Sequence, residues 1–222
     1  MMKKTIISLL TLILLTFGCD NNDSNPTENN MLNGKTITEI SGNIINWVHG
    51  TSYIAKYGMF SSSSIDINGN FSITDLYSPY DNQLSNITYL YNDYTTQPAL
   101  SDQAANYFLV TNLGIAKATD PQNEVGFVQN RSQISLDRVG DFYVKYLYLD
   151  RPVSINGMTA HSYYSGATLI NLKEKYNNIT FEKGWNKFVV VLTAIDVTTN
   201  TYISEIKREE PSQGNWYYTI NE

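Results

Sequence analysis

From Thr36 onward, apolar residues recur at every second position in short runs, and clusters of Gly, Asn, Asp and Ser separate those runs. This alternation is the mark of half-buried strands, and no long segment carries a helical period. The runs are Thr36 to Trp47, Thr51 to Tyr57, Ser63 to Ile67, Asn70 to Leu76, Tyr107 to Ala116, Phe142 to Leu149, Val153 to Met158, Ala167 to Leu172, Asn186 to Ala194, Thr201 to Lys207 and Trp216 to Ile220. Their spacing predicts an all-β chain of one or two antiparallel β-sandwich units. A short helix is expected only over Ala99 to Asn106, where Pro98 and then Ser101, Asp102 and Gln103 read as a start. In the run through Trp185 to Ala194, one face holds Phe188, Val190, Leu192 and Ala194. The other holds Trp185, Lys187, Val189, Val191 and Thr193. A strand apolar on both sides belongs at the centre of a sheet. Residues 78–98 lack clear alternation apart from Ile87 to Tyr91, which places a boundary there. The expected organisation is a small β module over 36–80, a linker over 81–104 and a β-sandwich domain over 105–222.

Asp66, Asn68, Gly69, Phe71 and Ile73 follow the order D-x-N-G-x-F-x-I, preceded by Ile40, Ser41, Gly42, Asn43 and Trp47. Asn68 and Gly69 are expected to form a tight type I′ turn, where both accept positive φ, and Phe71 and Ile73 should enter the core together. This segment resembles the carboxypeptidase-regulatory-like, transthyretin-like β module common in bacterial lipoproteins. The resemblance implies a scaffold or binding unit and no catalyst. Asp66, Asn68 and Asn70 also invite a reading as calcium ligands, but the later Gly and bidentate Glu of an EF-hand loop are missing. Farther on, the corner Tyr146 to Gly157 and the turn Lys183, Gly184, Trp185, Asn186 are similar to a pairing found in exported bacterial β proteins, which implies a fold and no activity.

The amino terminus carries an address. Lys3 and Lys4 precede an apolar run from Ile6 to Phe17, followed by Gly18 and Cys19. That run falls short of the ~20 apolar residues a membrane-spanning helix needs, so it reads as a signal core. Leu15, Thr16, Phe17, Gly18 and Cys19 resemble the bacterial lipobox, with Thr16 and Phe17 departing from its usual residues. The resemblance implies removal of 1–18 after Gly18 and lipidation of Cys19, whose acyl chains hold the protein at a bilayer. Cys19 is the only cysteine, so no internal disulfide forms. Residues 19–35 are rich in Asn and acidic side chains and read as a flexible tether with a reach of about 20 Å. Asp20 beside the cysteine is similar to an inner-membrane retention signal. With Asp23 it also resembles the acidic surface-export signal of other lipoproteins, and the outer membrane or cell surface is the favoured location.

A formal charge of −6, deepened by loss of Lys3 and Lys4, argues against nucleic acid as a partner. His49 and His161 are the only imidazoles, and no metal, phosphate-loop or nucleophile-elbow motif is present, so no cofactor is expected. A Ser/His arrangement at His161 and Ser162 has no further support in the sequence. Paired carboxylates leave no local motif, and Asp141, Asp150, Glu174 and Glu182 are the ones to inspect for them. The seventeen tyrosines are the compositional excess. Tyr143, Tyr146, Tyr148, Tyr163, Tyr164, Trp216, Tyr217 and Tyr218 are candidates for stacking on a sugar or a protein partner. Tyr163 and Tyr164 are expected to be exposed, because Ser162, Ser165 and Gly166 around them read as loop. The expectation is thus a lipid-anchored envelope protein acting as a non-enzymatic binding or scaffold module for a glycan or protein. The alternatives are a structural subunit of an envelope assembly and a carboxylate-dependent glycan hydrolase.

Overall fold

The strands are β1 (Ile40–Asn43), β2 (Tyr53–Tyr57), β3 (Ser61–Ser64), β4 (Asn70–Ile73), β5 (Ser85–Asn86), β6 (Ala99–Leu100), β7 (Asn106–Val110), β8 (Leu113–Lys117), β9 (Asp120–Arg131), β10 (Phe142–Leu149), β11 (Val153–Ser165), β12 (Thr168–Phe181), β13 (Gly184–Asp196), β14 (Thr201–Lys207) and β15 (Asn215–Ile220). The computed structural model describes residues 36–59, 61–209 and 214–221. Gly18, Cys19, the signal core and the tether lie outside the described residues. The fold is all-β, as the alternation predicts, and the helical turns among the described residues are short 3-10 turns at Asp81–Gln83 and Ile87–Tyr91.

One sheet runs in the order β3-β2-β8-β9-β10-β13-β14-β12-β11-β6, with β15 on β9, β7 on β10 and β5 on β7; β1 and β4 form a separate pair. Pairing is antiparallel apart from β12 with β14. Strand β13 lies between β10 and β14, and alternate residues of β10 and β13 feed two cores on opposite faces. Val144, Tyr146, Trp185, Val189 and Val191 enter the first core, with Ile40, Ile44, Phe71, Ile73 and Trp216. Leu147, Leu149, Phe188 and Val190 enter the second, with Ile155, Tyr176, Phe181 and Ile206. Apolar residues on both faces of β13 are therefore required, since each face covers a different core. Residues 36–80 and the rest share the first core and join edge to edge through β2 and β8, and Met31–Glu222 is one unit.

Three local expectations are corrected. Ala99 to Asn106 is not helical: Ala99 and Leu100 pair with β11, Asp102 accepts from the Ala104 N–H, and Ala105 is buried in the second core. Tertiary pairing overrides the helix propensity of the alanines. The turn at Asn68 and Gly69 is not type I′, since Gly69 has a φ of +85° while Asn68 is not among the positive-φ residues. The Asp66 carboxylate accepts from the Asn68 and Asn70 N–H groups, and the Gly69 N–H bonds the Asp66 carbonyl, which makes a three-residue loop with one left-handed residue. Finally, β11 and β12 continue well past Met158 and Leu172 and turn at Gly166, so Tyr163 and Tyr164 lie on a strand and not in a loop.

Candidate functional site

The β11–β12 hairpin overshoots the second core, and its inner face becomes one wall of a cleft of about 440 Å³. Register explains which side chains face inward: Tyr163 opposes Ile170, His161 opposes Leu172 and Thr159 opposes Glu174, while Leu172 and Glu174 oppose Tyr202 and Ser204 of β14. Cross-strand partners share a face, so Tyr163, Ile170, Leu172, Glu174, Tyr202 and Ser204 line one surface. Tyr143 of β10 with Val190 and Leu192 of β13 continues this surface along the sheet, Leu192 opposing Ser204 of β14, and Leu136 and Asp141 form the rim. The volume falls in the range of small-ligand sites, with aliphatic, tyrosine and charged groups converging on it.

Behind the cleft lies a polar cluster that the sequence did not announce. Lys145 sits 3.6 Å from Glu174, with side chains only 16% and 15% exposed, and its ammonium lies 5.3 Å from the Tyr143 ring centroid. The Tyr176 hydroxyl donates to the other Glu174 oxygen at 3.3 Å. Burial disfavours the Lys145 ammonium, but the Glu174 carboxylate and the Tyr143 and Tyr94 hydroxyls outweigh it and hold its pKa above the usual lysine value. Burial, opposed in part by Lys145, pushes the Tyr143 and Tyr94 hydroxyls up, and burial with the Tyr91 and Glu174 neighbours does the same for Tyr176. The cleft floor is thus a neutral ion pair ringed by protonated tyrosines at physiological pH.

Two of the four inspected carboxylates, Asp141 and Glu174, line the cleft, and Asp150 and Glu182 do not. Asp141 holds the rim: it accepts from Arg138 N at 2.7 Å, Asp137 N at 3.0 Å and Gln133 Nε2 at 2.6 Å, and so fixes the loop that carries Leu136. Asp150 ties the end of β10 to the start of β7 by accepting from the Asn106 N–H and amide. No family model matches this chain, no curated protein matches it, and no solved structure matches it. The site is therefore read from its own residues.

Of the aromatic candidates, Tyr163 is 44% exposed and lines the cleft, and Tyr143 lines it from β10. Tyr164 is 74% exposed and alternates to the outer surface. Tyr146 and Trp216 are corrected to core residues, 5% and 3% exposed, because their rings stack on one another at 6.3 Å inside the first core. Tyr148 packs edge-on against Trp185, Tyr217 receives the Arg131 guanidinium, and Tyr218 packs against Trp47. His161 stacks on Tyr163 and leans on Tyr94. Asp66 uses its oxygens on Asn68 and Asn70, and no cluster of three or more metal-ligating side chains exists among the described residues. Tyr202 and Lys145 were missed. A lysine at an inward position of the apolar strand Phe142–Leu149 was the signal available for the second.

Proposed function

We propose that this chain is a lipid-anchored envelope protein that binds a saccharide, without transforming it, in the cleft between β11, β12, β14 and β10, β13. The observation that carries the reading is the convergence of Tyr143, Tyr163 and Tyr202, from three strands, on one concave surface with Glu174, Lys173, Ser165 and Ser204 around them. Tyrosine rings cover the apolar faces of a pyranose, and the charged and hydroxyl groups take its hydroxyls. Commitment of Asp141 to its loop leaves Glu174 without a free carboxylate partner across the cleft, which favours binding over acid–base hydrolysis. Calorimetric titration with envelope polysaccharide fragments tests this. Binding should weaken about tenfold or more in Tyr163→Ala and Tyr202→Ala, in keeping with the loss of one aromatic contact. Equal affinity in both variants, or bond cleavage during titration, contradicts it.

Attachment at Cys19 and residence at the outer membrane or cell surface belong to the same proposal. Palmitate labelling that disappears in Cys19→Ser supports it, and an unlabelled wild-type chain overturns it. A second reading, edge-to-edge pairing as a subunit of an assembly, is favoured by the end of β11 past Ala160, which among the described residues pairs with β12 on one side only and carries Tyr164, 74% exposed. It requires concentration-dependent association that Tyr164→Lys abolishes.

A further inference from the structure

We infer that Trp47, Tyr53 and Tyr218 form a cage for an organic cation of the quaternary or methylated ammonium class, with His49 as its displaceable lid. The three walls come from separate stretches: the loop after β1, the start of β2 and the body of β15. Trp47 stands nearly perpendicular to both tyrosines, at 5.7 Å and 87° from Tyr53 and 5.7 Å and 76° from Tyr218. The His49 imidazole packs against all three, its centroid 4.9 Å from Trp47, 5.7 Å from Tyr53 and 5.1 Å from Tyr218. A positive charge placed where that imidazole sits is within the ~6 Å over which aromatic rings attract a cation, and it meets three rings at once.

The walls are held in place, and His49 rests on all three of them from an exposed position. Trp47 is a buried residue whose Nε1–H bonds the Gly50 carbonyl at 2.8 Å. Gly69 lies so close behind it that any Cβ there would reach 2.7 Å from the Trp47 Cβ. Burial and the Tyr53 hydroxyl push Tyr218 up, so this wall is a neutral phenol at physiological pH. His49 is exposed, and Gly50 after it takes a left-handed φ of +70°.

The test is a titration of the full chain with choline and, separately, with its uncharged isostere 3,3-dimethylbutanol, followed by the Trp47 indole N–H resonance. Choline should move that resonance and the isostere should not. His49→Ala, which removes the lid without touching a wall, should bind choline about tenfold more tightly, and Tyr53→Leu about tenfold more weakly. Equal response to choline and the isostere means plain hydrophobic contact and overturns the proposal. So does a silent resonance in both wild type and His49→Ala. Neither of those two readouts depends on a wall variant folding.

Discussion

Lys145 and Glu174 meet at 3.6 Å across the second core, joining strands β10 and β12, which are not neighbours in the sheet. Two strands separated by β13 and β14 in one sheet are thus tied by a charge pair beside the cleft. Removing one partner leaves the other charge buried. Lys145→Met is expected to lower stability by about 3–5 kcal/mol, and Lys145→Met with Glu174→Leu to restore most of it. Urea unfolding of the two variants checks this.

The same cluster sets the response to alkali. Lys145, Tyr143 and Tyr94 all have folded pKa values raised above their unfolded values, for the reasons of burial and mutual charge given already. Each therefore holds its proton more tightly when folded, so its contribution is complete below the unfolded pKa and is lost as pH rises past it. The thermal midpoint should hold steady to about pH 10 and fall steeply above, since unfolded Tyr and Lys titrate near there. In Lys145→Met with Glu174→Leu the fall should be shallower, because the contribution of Lys145 is gone while its lowering effect and the raising effect of Glu174 on the tyrosines are removed together, and an unchanged slope contradicts the role assigned to the cluster.

Gly42 faces the indole of Trp216, whose Nε1 would lie 2.1 Å from any Cβ at that position. Trp216 is hemmed in by Phe71 at 5.0 Å and by Tyr146 in the stack, so it has no room to yield. Gly42→Ala should destabilise by about 1–3 kcal/mol or more through overpacking. Thermal denaturation reads this as a fall of roughly 2–4 °C per kcal/mol in a chain of this size.

Asp141 positions the rim through the hydrogen bonds it accepts from Gln133, Asp137 and Arg138. Asp141→Ala should free the amides of Asp137 and Arg138, which hydrogen exchange detects, and should weaken saccharide binding by releasing Leu136. Asp150→Asn leaves the rim intact and should bind as the wild type does.

Much of the fold was legible because packing imposes a pattern. The double apolar face of β13 announced a central strand, and the structure adds that each face covers its own core. Strand β9 was hidden because its inward positions are Gly126, Val128 and Asn130, which leave no apolar alternation to read. The outer half of β11 was hidden for a related reason: beyond the core, polar residues such as Ser162 and Ser165 interrupt the apolar alternation while the strand continues on its pairing with β12. At Asn68 and Gly69 the dipeptide suggested the turn, but the Asp66 side chain chose its type. The site was legible only in part. Tyr163, Asp141 and Glu174 were named from residue chemistry, yet their meeting depends on the register of β11, β12 and β14, which no local motif encodes. Tyr146 and Trp216 show the converse, since an aromatic on a strand reads alike whether it faces a ligand or a core.

Tyrosine-selective NMR of the chain during titration with envelope polysaccharide fragments addresses the cleft most directly. Ring resonances of Tyr143, Tyr163 and Tyr202 should shift together and saturate at one affinity, while the core ring of Tyr146 stays still. Shifts confined to tyrosines outside the cleft, or none at all across the fragment panel, would contradict the assignment of this cleft as the binding site.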